Sequence, residues 1–246
     1  MKLVTLNVEG VAHIPRVMTF IIAERPEVIC LQEAGTPYVD LLMAEGYQVT
    51  CVPRCIRLHN GEEFTDGLLF ASLVPAEVVA HTFYSPRDGG VTREVFDQHT
   101  ERFNNPGQIL IGTILQHGKT YHIGTTHFTW TPNGDVPGVP QQTDMASFLE
   151  IVAELPSHIM CGDFNIPRLT NRLYADLLTL YRDEIPSNCA TSLDATFHKL
   201  KDIPEQSHKL REYMVDYIFS QPGYSVSNVR QIFGVSDHAA TVCEVV

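Results

Sequence analysis

The first third of the chain alternates short apolar runs with segments of helical spacing. Residues 3–6 and 28–31 are apolar runs of strand length, which is typical of strands that are buried on both faces. Pro15 begins the first helical segment, since proline is favoured at the first position of a helix. Thr36 supplies an N-cap for a second helix, and Gly46 is placed to end it. The pattern therefore predicts a β-α-β-α beginning.

Strands dominate the middle of the chain, from residue 47 to residue 127. The predicted strands cover residues 67–72, 77–83, 108–116 and 120–127, with a hairpin turn at 117–119. A polar stretch of about twenty residues, 85–107, interrupts them, and loops of that length inside compact domains are often functional. We therefore expect this loop to border the functional site.

The last third of the chain mixes helices with strands. Met145, Phe148, Leu149, Val152 and Leu155 recur at the spacing of a helix with one buried face. The remaining predicted elements are strands over residues 157–161, 215–219, 226–233 and 239–246 and a helix over residues 173–181. Helices interleaved with many strands indicate two packed sheets with helices outside them, and we expect a single domain over residues 1–246.

The composition is that of an ordinary globular protein with an acidic surface. The chain has 246 residues, of which 44% are hydrophobic and 19% are charged, and its formal net charge is −12. This charge argues against a protein that holds duplex DNA mainly by neutralising phosphates. Nucleic acid bound through a metal ion stays compatible with it.

Targeting and redox features predict an intracellular, cytoplasmic protein, and we expect it to be a monomer. Asn7, Glu9 and Gly10 interrupt the N-terminal apolar run before it reaches signal-peptide length, and no stretch approaches the roughly 18 uninterrupted apolar residues of a membrane span. Six cysteines are too few for a disulfide scaffold and favour a reducing compartment. A zinc site at Cys51 and Cys55 is disfavoured, because zinc needs four ligands and no second pair lies nearby.

Polar residues collect at the ends of the predicted strands, where side chains leave the core. Each of them alone is typical of a turn or of solvated surface. Together they include four acidic groups, which make a site that is anionic unless a cation occupies it. The members of the set are Asn7, Gln32, Glu33, His127, Asp163, Asn165, Asp216, Asp237 and His238.

This set of side chains predicts a hard divalent cation. Oxygen ligands without thiolates select Mg²⁺, and Mn²⁺ is a substitute. Mg²⁺ is typically held by one or two carboxylates, with water and substrate phosphate completing its octahedron, so Glu33 with Asn7 and Asp237 would suffice. The other carboxylates are then free to act as general base and as histidine partner.

Six short motifs occur in order from Asn7 to His238. They are Leu6-Asn7-Val8-Glu9-Gly10, Leu31-Gln32-Glu33, Thr126-His127, Gly162-Asp163-Phe164-Asn165, Val215-Asp216-Tyr217 and Ser236-Asp237-His238. In this order they resemble the endonuclease/exonuclease/phosphatase superfamily, and they look most like its tyrosyl-DNA phosphodiesterase-like branch. The resemblance implies a four-layered α/β sandwich with two central mixed β-sheets flanked by helices.

The resemblance also implies roles for the metal and the attacking water. It makes Asn7 and Glu33 part of the metal site, and it makes Asp237 the late aspartate that binds the metal or orients water. Asp163 would orient or deprotonate the attacking water, and Asn165 would hold that water and a phosphate oxygen.

By the same resemblance, the two histidines contact the phosphate. His238 would do so with Asp216 fixing its orientation. His127 resembles the histidine of deoxyribonuclease I-like and tyrosyl-DNA phosphodiesterase-like members, where exonuclease III-like members carry tyrosine, and this departure argues against an abasic-site endonuclease. Phosphoester hydrolysis needs preorganised donors, which we expect Asn165, His127 and His238 to supply.

Five further residues are candidates for substrate binding. Arg102 and Asn104 lie in the long loop, where the family often places a phosphate-binding Arg or Asn. Thr129 and Trp130 follow His127, and an exposed tryptophan stacks on a base with about 1–3 kcal/mol. Phe197 stands where many members carry a tryptophan, which implies weaker stacking.

Three hypotheses about function follow. The first is a Mg²⁺-dependent phosphodiesterase acting on nucleic-acid ends, single-stranded or end-containing DNA, including removal of a 5′ tyrosyl adduct. The second is a phosphatase or phospholipase acting on inositol phosphates, phospholipids or other small phosphoesters, which the net charge of −12 favours. The third is a noncatalytic binding module. Any DNA affinity would need a local basic patch, for which Arg93, Arg102 and Arg168 are candidates.

Overall fold

Two mixed β-sheets form the centre of the molecule in a computed structural model, which describes residues 1–86 and 90–246. The strands are β1 (Lys2–Asn7), β2 (Val28–Gln32), β3 (Gln48–His59), β4 (Glu62–Ser72), β5 (Ala76–Tyr84), β6 (Phe96–Asp97), β7 (Arg102–Phe103), β8 (Gly107–Gln116), β9 (Lys119–His127), β10 (Ile159–Asp163), β11 (Arg182–Asp183), β12 (Asp216–Ser220), β13 (Val226–Ile232) and β14 (Ala240–Val245). The helices are α1 (Ile14–Glu24), α2 (Thr36–Ala44), α3 (Val139–Glu154), α4 (Leu173–Leu177) and α5 (Lys209–Glu212), with 3₁₀ turns at Lys199–Asp202 and Pro204–Gln206.

The strand order brings the same ends of four strands to one edge of the sandwich. The first sheet has the order β13-β14-β1-β2-β4-β3, and the second has the order β11-β12-β10-β9-β8-β5. β1 runs parallel to β2, and β9 runs parallel to β10, whereas the other ladders are antiparallel. Because parallel strands finish at the same edge, the residues that follow β1 and β2, and those that follow β9 and β10, emerge side by side.

Helices cover the outer face of each sheet. Val17 of α1 packs in one apolar cluster with Val4 of β1. On the other side Phe148 of α3 packs against Phe83 and Phe128, with ring centroids 5.8 and 5.7 Å apart. The resulting helix-sheet-sheet-helix layers confirm the predicted four-layered α/β sandwich. No helix in residues 1–86 and 90–246 has the length and apolar character that a membrane span requires.

A buried polar bridge joins the two sheets beneath this edge. The Gln32 side-chain amide donates to Thr125 Oγ1 of the second sheet at 2.8 Å and to Thr5 Oγ1 at 3.2 Å. All three residues are buried, and a buried amide is costly unless it is hydrogen-bonded. The bridge therefore favours one relative placement of the sheets at the point where the strands end.

Several elements differ from the sequence predictions: β4 begins at Glu62 and not at residue 67, and β11, α5 and the two 3₁₀ turns were not predicted. The pattern gave no bounds for β3, an edge strand whose register shifts between Pro53 and Cys55. The helix expected over residues 173–181 ends at Leu177, and a turn follows it in which the backbone N–H groups of Leu180 and Tyr181 both donate to the Leu177 carbonyl. The polar stretch 85–107 contains the short β6-β7 hairpin, and its residues 87–89 lie outside the described residues.

Candidate active site

The register of the strands gathers the predicted polar residues. Asn7 is the partner of Gln32 across β1 and β2. On the second sheet Asp163 is the partner of His127 in β9 and of Asp216 in β12. Residues far apart in the sequence therefore meet, as shown by Asn7 and Asp163, which are 156 positions apart and hydrogen-bonded.

The backbone at this edge takes conformations that residues other than glycine rarely adopt. Glu33 and Asn165 have left-handed φ values of 56° and 52°, which asparagine tolerates better than glutamate. Gly162 has a φ of 131°, and a Cβ at this position would lie 2.1 Å from the Thr126 carbonyl oxygen. Strained backbone persists where the surrounding structure enforces it, and it clusters at functional sites.

Asp163 lies at the centre of the site. Its Oδ1 accepts the backbone N–H of Asn165 at 2.8 Å, and its Oδ2 accepts the side-chain amide of Asn7 at 3.1 Å. His127 Nε2 and His238 Nε2 lie 3.6 and 4.0 Å from the same Oδ2. One carboxylate oxygen is thus surrounded by three nitrogen groups.

His238 and Asp216 form a buried pair beside Asp163. His238 Nδ1 lies 2.7 Å from Asp216 Oδ2. Burial opposes protonation of the ring, but Asp216 and then Asp237 outweigh it and raise the pKa of His238 well above its usual value. Burial and the charge of Asp216 also raise the pKa of Asp163, which His238 and His127 oppose. The site therefore pairs an imidazolium with a carboxylate that binds protons more readily than usual.

Asn7 connects the carboxylates of the two sheets through its amide nitrogen. Its Nδ2 donates to Glu33 Oε1 at 3.3 Å as well as to Asp163. Its Oδ1 accepts the backbone N–H of Glu9 at 3.1 Å, which fixes the orientation of the amide. In this orientation Asn7 presents a donor to the carboxylates, whereas the predicted role as a metal ligand requires its oxygen.

His127 has an arginine as its neighbour. Arg54 Nη1 lies 2.6 Å from His127 Nδ1, and Arg54 Nε donates to the Pro106 carbonyl at 3.3 Å. Guanidinium groups only donate, so Nδ1 is the acceptor and the neutral ring carries its hydrogen on Nε2, toward Asp163. Burial, followed by the charge of Arg54, lowers the pKa of His127 to about 4. This histidine is therefore a neutral donor.

A second arginine of β3 neutralises the acidic side of the site. Arg57 bonds to Glu33 through Nη1, which also contacts Asp66 at 3.0 Å, while its Nε lies 3.4 Å from Glu94. Burial alone would raise the pKa of Glu33, but Arg57 and His127 hold it well below its usual range. Glu33 is accordingly an anion over the working range of pH.

Asp237 leaves a carboxylate available to a cation. In the described part of the chain its one hydrogen-bond donor is Ser236 Oγ, at 3.2 Å from Oδ1. Burial, followed by the charges of Glu9 and Glu33 against that of His238, raises the pKa of Asp237 to about 7. A carboxylate that accepts one hydrogen bond and has the ionised Glu33 among its neighbours fits a divalent cation bound through oxygen.

One cavity of about 390 Å³ is lined by the predicted site residues other than Gln32 and Asp216, and by three of the five predicted substrate residues. Trp130 lines its outer wall, is 42% exposed and packs against Phe103, with ring centroids 5.6 Å apart. Arg102 and Thr129 also line it, but both side chains bond to Asp144.

The other two predicted substrate residues lie elsewhere. The Asn104 side chain braces the long loop, with its amide nitrogen 3.0 Å from the Arg93 carbonyl, and Asn105 lines the cavity instead. Phe197 packs outside the cavity, under the guanidinium of Arg16 at 4.5 Å. Both side chains therefore make structural contacts outside the cavity.

The arginines proposed as a basic patch are each paired with an acid. Arg93 bonds to Glu63, Arg102 bonds to Asp144, and Arg168 lies 2.9 Å from Asp183. Their charges are therefore compensated. The cations that line the cavity without having been predicted are Arg54, Arg57, Lys199 and Lys209.

His198 is a further cavity residue that the sequence analysis did not single out. Burial, followed by the charges of His238 and Lys199, lowers its pKa to about 3. The signal available in the sequence was its place in the segment before the Val215-Asp216-Tyr217 motif, but no neighbouring strand pattern marked it. Arg54 and Arg57 escaped notice because they lie in the edge strand that the pattern did not delimit.

Comparison with solved structures shows the fold. The chain is 17% identical to D. rerio TDP2 in complex with a single-strand DNA product, with a TM-score of 0.67 over 100% of this chain and 98% of that one. It is 14% identical to a mannosyl-6-phosphatase of Bacteroides thetaiotaomicron VPI-5482, with a TM-score of 0.66 over 100% of this chain and 99% of that one. The catalytic domain of human Nocturnin, with bound sulfate, is 16% identical, with a TM-score of 0.66 over 100% of this chain and 93% of that one.

Sequence comparison identifies the family. A search among curated proteins finds no match. A sequence model of the Endonuclease/Exonuclease/phosphatase family, whose members act on phosphoesters, matches residues 4–238, which include all the polar residues gathered at the edge of the sandwich. The chain therefore belongs to the endonuclease/exonuclease/phosphatase family.

Proposed function

We propose that the protein is a divalent-metal-dependent phosphodiesterase that acts on nucleic-acid ends through a single catalytic domain. The observation that carries the proposal is the placing of Asp163 Oδ2 among Asn7, His127 and His238 on the wall of a cavity. A carboxylate held among donors is the arrangement that in-line attack of water on a phosphate requires.

Glu33 and Asp237 would hold Mg²⁺ or Mn²⁺. Both are carboxylates that line the cavity, and the side-chain amide of Asn7 donates to Glu33 Oε1 at 3.3 Å, which orients the Glu33 carboxylate. When bound, the cation would polarise a phosphoryl oxygen as a Lewis acid. The low pKa of Glu33 keeps this ligand ionised, which is the form that a hard cation binds.

The chain's own residues supply the acid-base chemistry. Asp163 would orient the attacking water and accept its proton, which the raised pKa of Asp163 favours. Asn165, held by its backbone N–H on Asp163 Oδ1, would position the water. The His238 imidazolium, oriented by Asp216, and the neutral Nε2–H of His127 would donate to the phosphoryl oxygens as charge builds on them.

The outer wall of the cavity favours a substrate with a flat ring beside the phosphate. Trp130, Phe103 and Tyr84 form an aromatic wall, and Lys199 and Lys209 also line the cavity. Aromatic faces stack on bases, and lysines attract a neighbouring phosphate. A single-stranded end or a tyrosyl adduct has both features.

The second candidate is hydrolysis of a small phosphoester. The pairing of Arg93, Arg102 and Arg168 with carboxylates, together with a net charge of −12, favours it, because long nucleic acids need uncompensated cations along their path.

The test is hydrolysis with Mg²⁺, Mn²⁺ or EDTA of a 5′-phosphotyrosyl single-stranded oligonucleotide, the same DNA without the adduct, and inositol phosphates. Glu33→Gln and Asp163→Asn should each abolish the metal-dependent activity. Glu63→Gln and Asp183→Asn make the same chemical changes outside the cavity and should leave it intact. Hydrolysis of the inositol phosphates alone would decide for the second candidate, and no metal-dependent hydrolysis of any substrate would refute both.

A further inference from the structure

His198 is held in the cavity by a tightly bonded segment. Asp194 N–H donates to the Asp237 carbonyl at 2.7 Å, and His198 N–H donates to the Asp194 carbonyl at 2.9 Å. His198 is 8% exposed as a residue, and its ring lies 5.6 Å from the ring of His238, measured between centroids. Residues 194–198 therefore place a buried imidazole beside Asp237 and His238.

The hydrogen bond at Nδ1 fixes the tautomer of this imidazole. The backbone N–H of Leu200 donates to His198 Nδ1 at 3.2 Å. An amide N–H has no lone pair to offer, so Nδ1 is unprotonated and the hydrogen of the ring is on Nε2. His198 thus presents a donor at the atom opposite its bond to Leu200.

Nε2 of His198 makes no hydrogen bond within residues 1–86 and 90–246, where the one hydrogen bond of the ring is at Nδ1. His198, Asp237 and His238 each offer an atom within 4.8 Å of the others, a spacing that would also suit a metal ion. A nitrogen that carries hydrogen has no lone pair for a metal, however, so the tautomer excludes Nε2 of His198 as a ligand. A neutral donor, in contrast, suits an anionic oxygen and does not compete with a cation nearby.

We propose that His198 is a catalytic residue that donates its Nε2–H to a nonbridging oxygen of the substrate phosphate. The inference rests on the phosphoesterase function proposed above and adds a third histidine to the donors around the phosphate. His198 and His127 would be neutral donors with fixed tautomers, one set by Leu200 and the other by Arg54. His238 would be the charged one.

Two substitutions separate this role from a structural one. In His198→Asn the side-chain oxygen replaces Nδ1 and still accepts from Leu200, but the donor at Nε2 is lost. In His198→Gln the amide nitrogen replaces Nε2, but the acceptor for Leu200 is lost. We expect kcat to fall about 10²–10³-fold in His198→Asn, the usual effect of removing one such donor, and less in His198→Gln. The opposite order would mean that His198 only caps the 3₁₀ turn, and it would overturn the proposal.

A second measurement does not depend on turnover. Spectra of ¹⁵N-histidine-labelled protein, with His198 identified among the 11 histidines by comparison with His198→Asn, report which ring nitrogen carries hydrogen. We expect the Nε2–H form and a shift of that resonance when inorganic phosphate is added with Mg²⁺. The Nδ1–H form, or no shift at saturation, would overturn the proposal. Wild-type protein that hydrolyses no phosphoester would refute the proposed function, while this titration would still decide the contact of His198 with phosphate.

Discussion

Replacing Asp216 by asparagine removes the charge that holds His238 as an imidazolium. The two side chains are buried and 2.7 Å apart, so the bond is a charge-assisted one worth about 1.5–3 kcal/mol. At about 1.4 kcal/mol for each factor of ten, kcat/KM of Asp216→Asn should fall about 10–150-fold near neutral pH. Asparagine is nearly isosteric, and β12 should therefore still form.

The loss should depend on pH, with a sign that follows from the pKa of His238. Asp216 is the largest influence that raises this pKa, whereas burial lowers it. Without Asp216 the pKa falls, and the ring loses its proton at a lower pH. The alkaline limb of the rate profile should therefore move to lower pH, and the deficit should shrink toward acid, where the ring is protonated in both proteins.

The assay is kcat/KM against pH for the best substrate found in the metal-dependent screen. Asp183→Asn is the matched control, because it removes a carboxylate that pairs with Arg168 and Tyr174 outside the cavity. A deficit of the same size in both variants, or an alkaline limb that stays in place in Asp216→Asn, would refute the coupling between Asp216 and His238.

Three further outcomes are expected. Gly162→Ala should lower the free energy of unfolding by more than about 3 kcal/mol, since the new Cβ would lie 2.1 Å from the Thr126 carbonyl oxygen. Gly46→Ala, which has open space around the new Cβ, should lower it by about 1 kcal/mol. Chemical denaturation measures both changes. Asp237→Asn should raise the Tm at pH 8 in EDTA and abolish the stabilisation by Mg²⁺. The pKa of Asp237 is about 7 in the folded protein and lower in the unfolded chain, so the wild type loses stability as the pH rises from about 4 to 7. Trp130→Ala should weaken binding of the tyrosyl oligonucleotide by about 1–3 kcal/mol but leave a ring-free glycerol phosphodiester unaffected, and an equal loss on both would exclude stacking.

The sequence by itself determined the layered fold and the composition of the polar edge. Strands buried on both faces, such as β1 and β2, show as continuous apolar runs, and the polar residues at or next to the ends of such strands are conspicuous by contrast. Asn7, Asp163 and His238 could be recognised in this way. β3 could not be delimited, because an edge strand with a bulge carries Pro53, Arg54 and Arg57 among its apolar residues and breaks the alternation.

Only the tertiary structure decided which atom of each side chain faces which neighbour. The pairing of Arg54 with His127 joins residues 73 positions apart, and the orientation of the Asn7 amide depends on the N–H of Glu9. Sequence patterns record which residues are buried, since burial repeats along an element, but they do not record hydrogen-bond partners that meet only when two sheets pack. The ion pairs of Arg93 with Glu63 and of Arg102 with Asp144, and the Nε2–H donor of His198, follow from that packing.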